Sequence, residues 1–272
     1  MEDAAPARPS APITAYIRTK NEGRMTGDVV RAAFAVASEV IVVDSGSTDE
    51  TVQQARAAGA RVIESEWRGY GSQKRIAEDA AQNDWLLDLD ADEVVTPALA
   101  EEINALFANG APDVGVFRTP MAIAPPIGAP WRNFALQSRA KLYDRRVIRM
   151  PDHAFWDQFK IPAGVPVGAI KEPIRHYAFA DAHHLMEKLN KYSTDRALTA
   201  KSRPLPVIIL RIFFGLPIYF FRRYFLEGCI RGGAYGFAYA LMTSFRRWLV
   251  DVKLYEREMS ARHESRESDP AP

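Results

Sequence analysis

Asp88, Asp90, Asp92 and Glu93 fall within six positions of one another, in the run Trp85-Leu86-Leu87-Asp88-Leu89-Asp90-Ala91-Asp92-Glu93. Crowded carboxylates repel, and each is costly to take out of water. Positive charge is therefore expected among them. The set offers oxygen ligands with no histidine or cysteine beside them. Such ligands suit a hard divalent cation, Mg2+ or Mn2+, which commonly also holds substrate phosphates. The plainer reading is an acidic strand-to-helix turn, in which Asp92 or Glu93 only caps the next helix.

Other clusters carry potential chemistry. Lys20-Asn21-Glu22 is one, and Asp44-Ser45-Gly46-Ser47-Thr48-Asp49 is another. In the second, Ser47 and Glu50 have the spacing of a capping box, which predicts a helix from Thr48 to about Ala58. Farther on, His153 and Asp157 sit among Phe155, Trp156 and Phe159. His176, His183 and His184 read as surface or core histidines rather than a metal cluster.

The elements that must position these residues follow from the apolar pattern. Strands are expected at Ile13 to Thr19, Glu39 to Val43, Arg61 to Ser65 and Trp85 to Leu89. Helices are expected at Met25 to Ala37, Ser72 to Ala81 and Pro97 to Phe107, the last with proline in its first turn. Strands and helices alternating at roughly 20 to 26 residues indicate βαβ units and a parallel sheet. In such sheets ligands bind beyond the carboxyl ends of the strands. Lys20-Asn21-Glu22, Asp44 to Asp49 and Asp90 to Glu93 all fall there.

After Asn109 the rhythm changes. Gly115 to Pro120 and Lys141 to Met150 read as strands in mixed orientation, Met121 to Trp131 as an irregular, proline-rich connection, and Pro166 to Tyr177 as another extended run. Asp181 to Ala200 reads as a polar amphipathic helix. Leu205 to Phe221 is nearly all apolar but holds Arg211 and two prolines. A spanning helix needs about 20 apolar residues, so this segment reads as too short and interrupted to span. Arg222, Arg223, Arg231, Arg246 and Arg247 lie among aromatics. That mixture fits helices in an anionic membrane interface, or else a helical hairpin with solvated arginines. The expected domains are a disordered lead-in at 1–12, a catalytic α/β domain at 13–200, C-terminal interface helices at 201–257 and a disordered tail at 258–272.

The 272 residues are 47% hydrophobic and 25% charged, with a formal net charge of +1. One sizeable core is expected, and bulk charge points to no nucleic-acid partner. The single cysteine, Cys229, rules out an internal disulfide and fits a reducing compartment. The Ala- and Pro-rich N-terminus lacks the apolar core of a secretory signal.

Thr19-Lys20-Asn21-Glu22, Val42-Val43-Asp44-Ser45-Gly46-Ser47-Thr48-Asp49, Gln73-Lys74 and Leu89-Asp90-Ala91-Asp92-Glu93 together resemble the inverting family-2 glycosyltransferases of GT-A fold. The resemblance is to the bacterial branch described as lipopolysaccharide-core β-1,4-glucosyltransferase-like, and its motifs cover about residues 13 to 105. It implies a GT-A, Rossmann-like mixed sheet flanked by helices, with an amphipathic C-terminal extension. It implies transfer of a sugar, glucose foremost, from a UDP-sugar to a lipopolysaccharide-core or related glycolipid or polysaccharide acceptor. The place of action it implies is the cytoplasmic face of the bacterial inner membrane, as a peripheral protein. Thr19, Asn21, Glu22, Asp44, Ser45 and Asp90 would bind the nucleotide sugar, Asp44 by accepting from the uracil imide. Lys74 would either join them, or the acceptor, or remain a solvated helix lysine. Asp90 and Asp92 would hold Mg2+ or Mn2+.

For the catalytic base, the branch carries a His-Glu pair where this chain reads Pro151 to Phe159. Asp157 and His153 are the candidates. Phe155, Trp156 and Phe159 are expected to give Asp157 a partly dry wall, which would raise its pKa. Two other readings stand beside this one: a non-catalytic membrane scaffold, and a haloacid-dehalogenase-type phosphatase with Asp88-Leu89-Asp90 as nucleophile motif. The phosphatase motif usually has Thr or Val two residues after its second Asp, where this chain has Asp92.

Overall fold

A computed structural model describes residues 11–127, 131 and 137–267, the side chains of 264–267 excepted. Most of the expected lead-in, part of the proline-rich connection and the last five residues lie outside the described residues. Among the described residues the chain forms two compact units, the first falling within 11–124 and 137–178, the second within 125–131 and 179–267. The first unit ends at Ala178, so the helix from Asp181 to Ala200 groups with the C-terminal helices and not with the sheet.

In chain order the first unit holds β1 (Ile13–Thr19), α1 (Thr26–Ala33), β2 (Glu39–Asp44), α2 (Thr51–Ala57), β3 (Arg61–Glu64), α3 (Tyr70–Ala80), β4 (Trp85–Asp90), β5 (Glu93–Val94), α4 (Pro97–Leu106), β6 (Val116–Ile123), β7 (Gln137–Asp144), β8 (Gly168–Ala169) and β9 (Ile174–His176). The sheet runs β3-β2-β1-β4-β7-β6-β9-β5, with β8 on β6. The first four strands are parallel. β7 then enters antiparallel to β4, and β6 antiparallel to β7.

Side chains alternate across each strand. Ile13, Ala15, Ile17, Val40, Val42, Trp85, Leu87 and Leu89 pack on α1 and α4 through Val29, Val30, Leu99 and Ile103. Tyr16, Ile41, Val43, Leu86 and Tyr143 face the other way, toward Ala77 of α3. That alternation also assigns a face to the polar residues. Asp88 and Asp90 share parity with Leu86 and so point to the α3 side.

The later strands are shifted from their sequence expectations. β6 extends to Ile123, and β7 ends at Asp144 rather than continuing to Met150. Buried Glu78 draws the chain after β7 off the sheet. Its carboxylate accepts from Tyr143 Oη at 2.6 Å and Met150 N at 2.8 Å, and it pairs with Arg149. α2 begins at Thr51 without a side-chain cap, so the capping box does not form. Ser47 is engaged elsewhere, as described below.

The second unit holds α5 (Ala182–Thr199), α6 (Leu205–Phe221) and α7 (Gly233–Glu267). Asp181 caps α5, accepting from His184 N at 2.8 Å. Lys253 and Arg257 of α7 donate to carbonyls and hydroxyls in the second half of α5. α6 and α7 are joined by Arg211 and Tyr219 to buried Asp251, each at 2.8 Å. Two expectations change here. α6 runs through Pro217 into a wider turn over Arg222–Leu226, giving 22 helical residues, long and apolar enough to cross a membrane by length and composition. Trp248 Nε1 of α7 donates to the Ile212 carbonyl, next to the Phe213 carbonyl that Pro217 leaves without its helical N–H. The expected disordered tail at 258–272 is helix as far as Glu267, as a continuation of α7.

Candidate active site

Lys74 is the centre of charge at the carboxyl edge of the sheet. It is 2% exposed on α3, and its Nζ lies 2.8 Å from Asp88 Oδ1, 3.0 Å from Asp90 Oδ1 and 3.6 Å from Asp157 Oδ2. It is not a solvated helix lysine. Burial alone would lower its pKa, but Asp88, Asp90 and Asp157 outweigh burial and hold the ammonium above its usual value. A second buried lysine, Lys141 of β7, lies 2.6 Å from Glu93 Oε2 and 3.6 Å from Asp88 Oδ2. Arg18 adds a third cation, 3.2 Å from Asp90, with its guanidinium over Tyr70. Burial would raise the Asp90 pKa, yet Lys74, Lys141 and Arg18 keep it well below the usual carboxylate range. The positive charge expected among the acids is therefore present as side chains. It also leaves Asp88, the nucleophile of the phosphatase reading, held between two lysines.

Neither Asp92 nor Glu93 caps the next helix; Thr96 does, accepting from Leu99 N at 3.1 Å. Glu93 closes the turn instead, accepting from Asp90 N at 3.0 Å. Burial pushes its carboxyl up, while Lys141 opposes that. Asp92 Oδ1 lies 3.4 Å from Nε2 of His176, which is paired with Glu93 across β5 and β9. Burial would lower the imidazole pKa, but the bond and charge of Asp92 raise it.

The loops after β1 and β2 are laced into one rim. Asn21 takes a left-handed conformation, φ 53°, which asparagine tolerates better than most residues. Its N donates to Ser47 Oγ and its Oδ1 accepts from Thr48 N, each at 2.8 Å. Glu22 N donates to Thr51 Oγ1, and Gly23 N to Asp49. Asp44, 1% exposed, accepts from Thr19 Oγ1, Ser47 Oγ and the amides of Gly46 and Ser47. Those four donors match the roughly four lone-pair sites of a carboxylate. Asp44 thus shapes the rim, and a base imide would have to replace a donor such as the Ser47 hydroxyl. Ser45 Oγ is buried with no partner among the described residues.

The segment at 151–157 reaches this edge by resting on the first turn of α3. Tyr70 N donates to Ala154 O at 2.9 Å and Gly71 N to His153 O at 3.0 Å. Glycine is required there: a Cβ on Gly71 would stand 2.3 Å from Pro151 O and 2.4 Å from Trp156 O. Asp157 is brought to Lys74. His153 is not; it is exposed, and its Nδ1 accepts from the amides of Phe155 and Trp156. The expected dry wall fails at two of its three members, since Phe155 is 83% and Trp156 56% exposed; Phe159 alone is turned in, its ring 4.4 Å from that of Tyr143.

Sequence reasoning missed Lys141, Arg18 and His176. Arg18 carried a usable signal, since it shares with Tyr16 the parity of the α3 face. Lys141 needed the β4–β7 register, and His176 the pairing of two short strands.

Among the described residues, no three of His, Cys, Asp and Glu converge as a protein-only metal cage. Mg2+ and Mn2+ ordinarily take one or two carboxylates and complete their shell with phosphate oxygens and water. Asp90 and Asp92 at one strand end fit that pattern, although Asp90 is also engaged by Lys74 and Arg18 and Asp92 by His176.

Comparison with known proteins identifies the family. The profile described as "Glycosyl transferase family 2" matches residues 14–170. The lipopolysaccharide core biosynthesis glycosyltransferase LpsC of Rhizobium meliloti is 32% identical over 263 residues, covering 92% of this chain and 94% of the relative. An uncharacterized glycosyltransferase of Rickettsia conorii is 29% identical over 261 residues, covering 92% of each chain. Among solved structures, glucosyl-3-phosphoglycerate synthase from Mycobacterium tuberculosis, in complex with Mn2+, UDP and glucosyl-3-phosphoglycerate, is 24% identical with a TM-score of 0.35. That likeness covers 41% of this chain and 44% of the other, too slight to carry an argument.

Proposed function

Because the chain belongs to glycosyl transferase family 2, we propose that it moves a sugar, glucose foremost, from a UDP-sugar to a lipopolysaccharide-core or related glycolipid or polysaccharide acceptor. The observation that carries the proposal is the convergence of Asp90, Lys74 and Asp157 at the carboxyl edge of β4, beside the rim made by Asn21, Asp44 and Ser47. Ligands of parallel α/β sheets bind at that edge.

In this reading the rim takes the uridine, and Asp92 with Asp90 holds Mg2+ or Mn2+. When bound, such an ion supplies Lewis-acid stabilisation of the departing diphosphate. Asp157 takes the proton of the acceptor hydroxyl as its oxygen bonds to the anomeric carbon. The bond from that carbon to the UDP oxygen breaks on the opposite side, so configuration inverts and UDP leaves. Lys74 fixes the positions of Asp90 and Asp157 relative to each other.

A membrane acceptor gives α6 a role. Leu210, Phe213, Phe214, Ile218 and Phe221 are exposed along it, and Arg222 and Arg223 follow. This apolar face with basic residues at one end supports docking on an anionic bilayer, at the cytoplasmic face of the inner membrane.

A melting-temperature panel of nucleotides and UDP-sugars, with and without Mn2+, tests the donor. Ligands that bind only the native state raise the midpoint by mass action. UDP and UDP-glucose with Mn2+ should raise it, and ADP and GDP should not. Equal shifts with every nucleoside diphosphate would remove uridine from the proposal.

A further inference from the structure

Next to the carboxylate edge lies a small cavity of about 70 Å³, whose wall includes Lys74, Asp88, Arg118, Arg139, Lys141 and Asp157. Four of those six are cations. Lys74 and Lys141 are matched by the carboxylates already described. The arginines are not. Arg118 Nη1 donates to the Ser138 carbonyl at 3.2 Å, and Arg139 Nη2 to Gln137 Oε1 at 3.3 Å. Both acceptors are neutral, and among the described residues neither guanidinium has a carboxylate partner.

Strand geometry explains why they gather. Leu86 lies opposite Tyr143 and Leu87 opposite Leu142, and one step farther Lys141 meets Asp88 at 3.6 Å, with Arg139 two residues before it on β7. Across β6 and β7, Phe117 pairs with Leu142 but Arg118 with Ala140, leaving Lys141 as an extra residue. A bulge of this kind re-aims side chains next to functional sites.

We propose that Arg118 and Arg139 bind an oxyanion carried by the acceptor sugar, a phosphate or a carboxylate. The word acceptor rests on the glycosyltransferase reading; the oxyanion site does not. A guanidinium presents a planar fork of donors that matches either group. At about 10–15 Å³ per enclosed water, a cavity of about 70 Å³ has room for several waters, and so for an oxyanion head group. Asp157 lines the same cavity, so a sugar held by its anionic substituent keeps its hydroxyls beside the base.

The test is calorimetric titration of the full chain with glucose 6-phosphate, glucuronate and glucose, metal-free and with UDP present. UDP with Mn2+ is titrated separately. Glucose 6-phosphate, glucuronate or both should bind, and glucose should not; which of the two binds identifies the oxyanion. The double variant Arg118→Gln/Arg139→Gln should weaken that binding at least about tenfold, the loss expected for charged hydrogen bonds. It should leave UDP–Mn2+ affinity and the melting temperature unchanged. Glucose binding as tightly as the anionic sugars overturns the proposal, as does wild-type binding in the double variant. So does a parallel loss of UDP–Mn2+ affinity, which would give the arginines to the donor diphosphate. If wild type fails to bind UDP, the donor reading falls, while the oxyanion site is still decided by the sugar titrations.

Discussion

The ammonium of Lys74 stands 2.8 Å from Asp88 and is shared with Asp90, a second carboxylate of the same strand. One helix side chain thereby fixes the two acids of β4 that point to its face. Removing one partner from a buried charge group leaves the others uncompensated, at a cost of about 3–5 kcal/mol. Lys74→Met should lower stability by about that amount in urea denaturation. A loss below about 1 kcal/mol, the scale of an exposed pair, would mean the carboxylates find other compensation.

Gly71→Ala separates two effects of opposite sign. By helix propensity alone, alanine gains about 1 kcal/mol over glycine. In this fold its Cβ would meet Pro151 O and Trp156 O, both backbone atoms of the segment that carries Asp157. We expect the variant to be less stable than wild type and to lose turnover, with UDP affinity kept. A stabilised variant would show that the segment does not rest there.

Asp44→Ala should loosen the rim, because four donors lose their acceptor. The bond from a uracil imide to this charged group would be worth about 1.5–3 kcal/mol, so UDP affinity should fall at least about tenfold. Preference among UDP-sugars should stay as it was. Altered sugar preference with intact UDP affinity, by calorimetry, would place Asp44 near the transferred sugar instead.

The parallel half of the fold was legible in the chain because β1, β2 and β4 are apolar runs ending at turn residues. Parity along β4 puts Asp88 and Asp90 on one face of the sheet, but that Lys74 meets them there needed the packing of α3 on that face. What could not be read were contacts made across distant segments. Lys141 meets Asp88 only through the β4–β7 pairing, and the capping box at Ser47 gave way to Asp44 and Asn21, from two different turns. The dry wall at Asp157 failed for a local reason: clustered aromatics at 155 and 156 do not bury themselves when the loop turns them outward. Pro217 looked like an interruption of α6, but Trp248 supports the helix in the turn before it.

For the apolar helix, Phe213→Ser/Phe214→Ser should weaken flotation of the full chain with anionic vesicles. The two rings are 74% and 58% exposed. Each ring entering lipid contributes about 1.5–3 kcal/mol, so partitioning should fall by about a hundredfold or more. Unchanged flotation would remove this face of α6 from the membrane contact.

The central claim is that the edge holding Asp90, Lys74 and Asp157 performs sugar transfer, with Asp157 as base. Its most direct test is the rate of glucose transfer from UDP-glucose to a lipopolysaccharide-core oligosaccharide with Mn2+, in wild type and in Asp157→Asn, with UDP-glucose affinity measured alongside. The account predicts a loss of at least about a hundredfold in turnover, the usual size of a general-base contribution, with affinity nearly unchanged. Wild-type turnover in Asp157→Asn would contradict it.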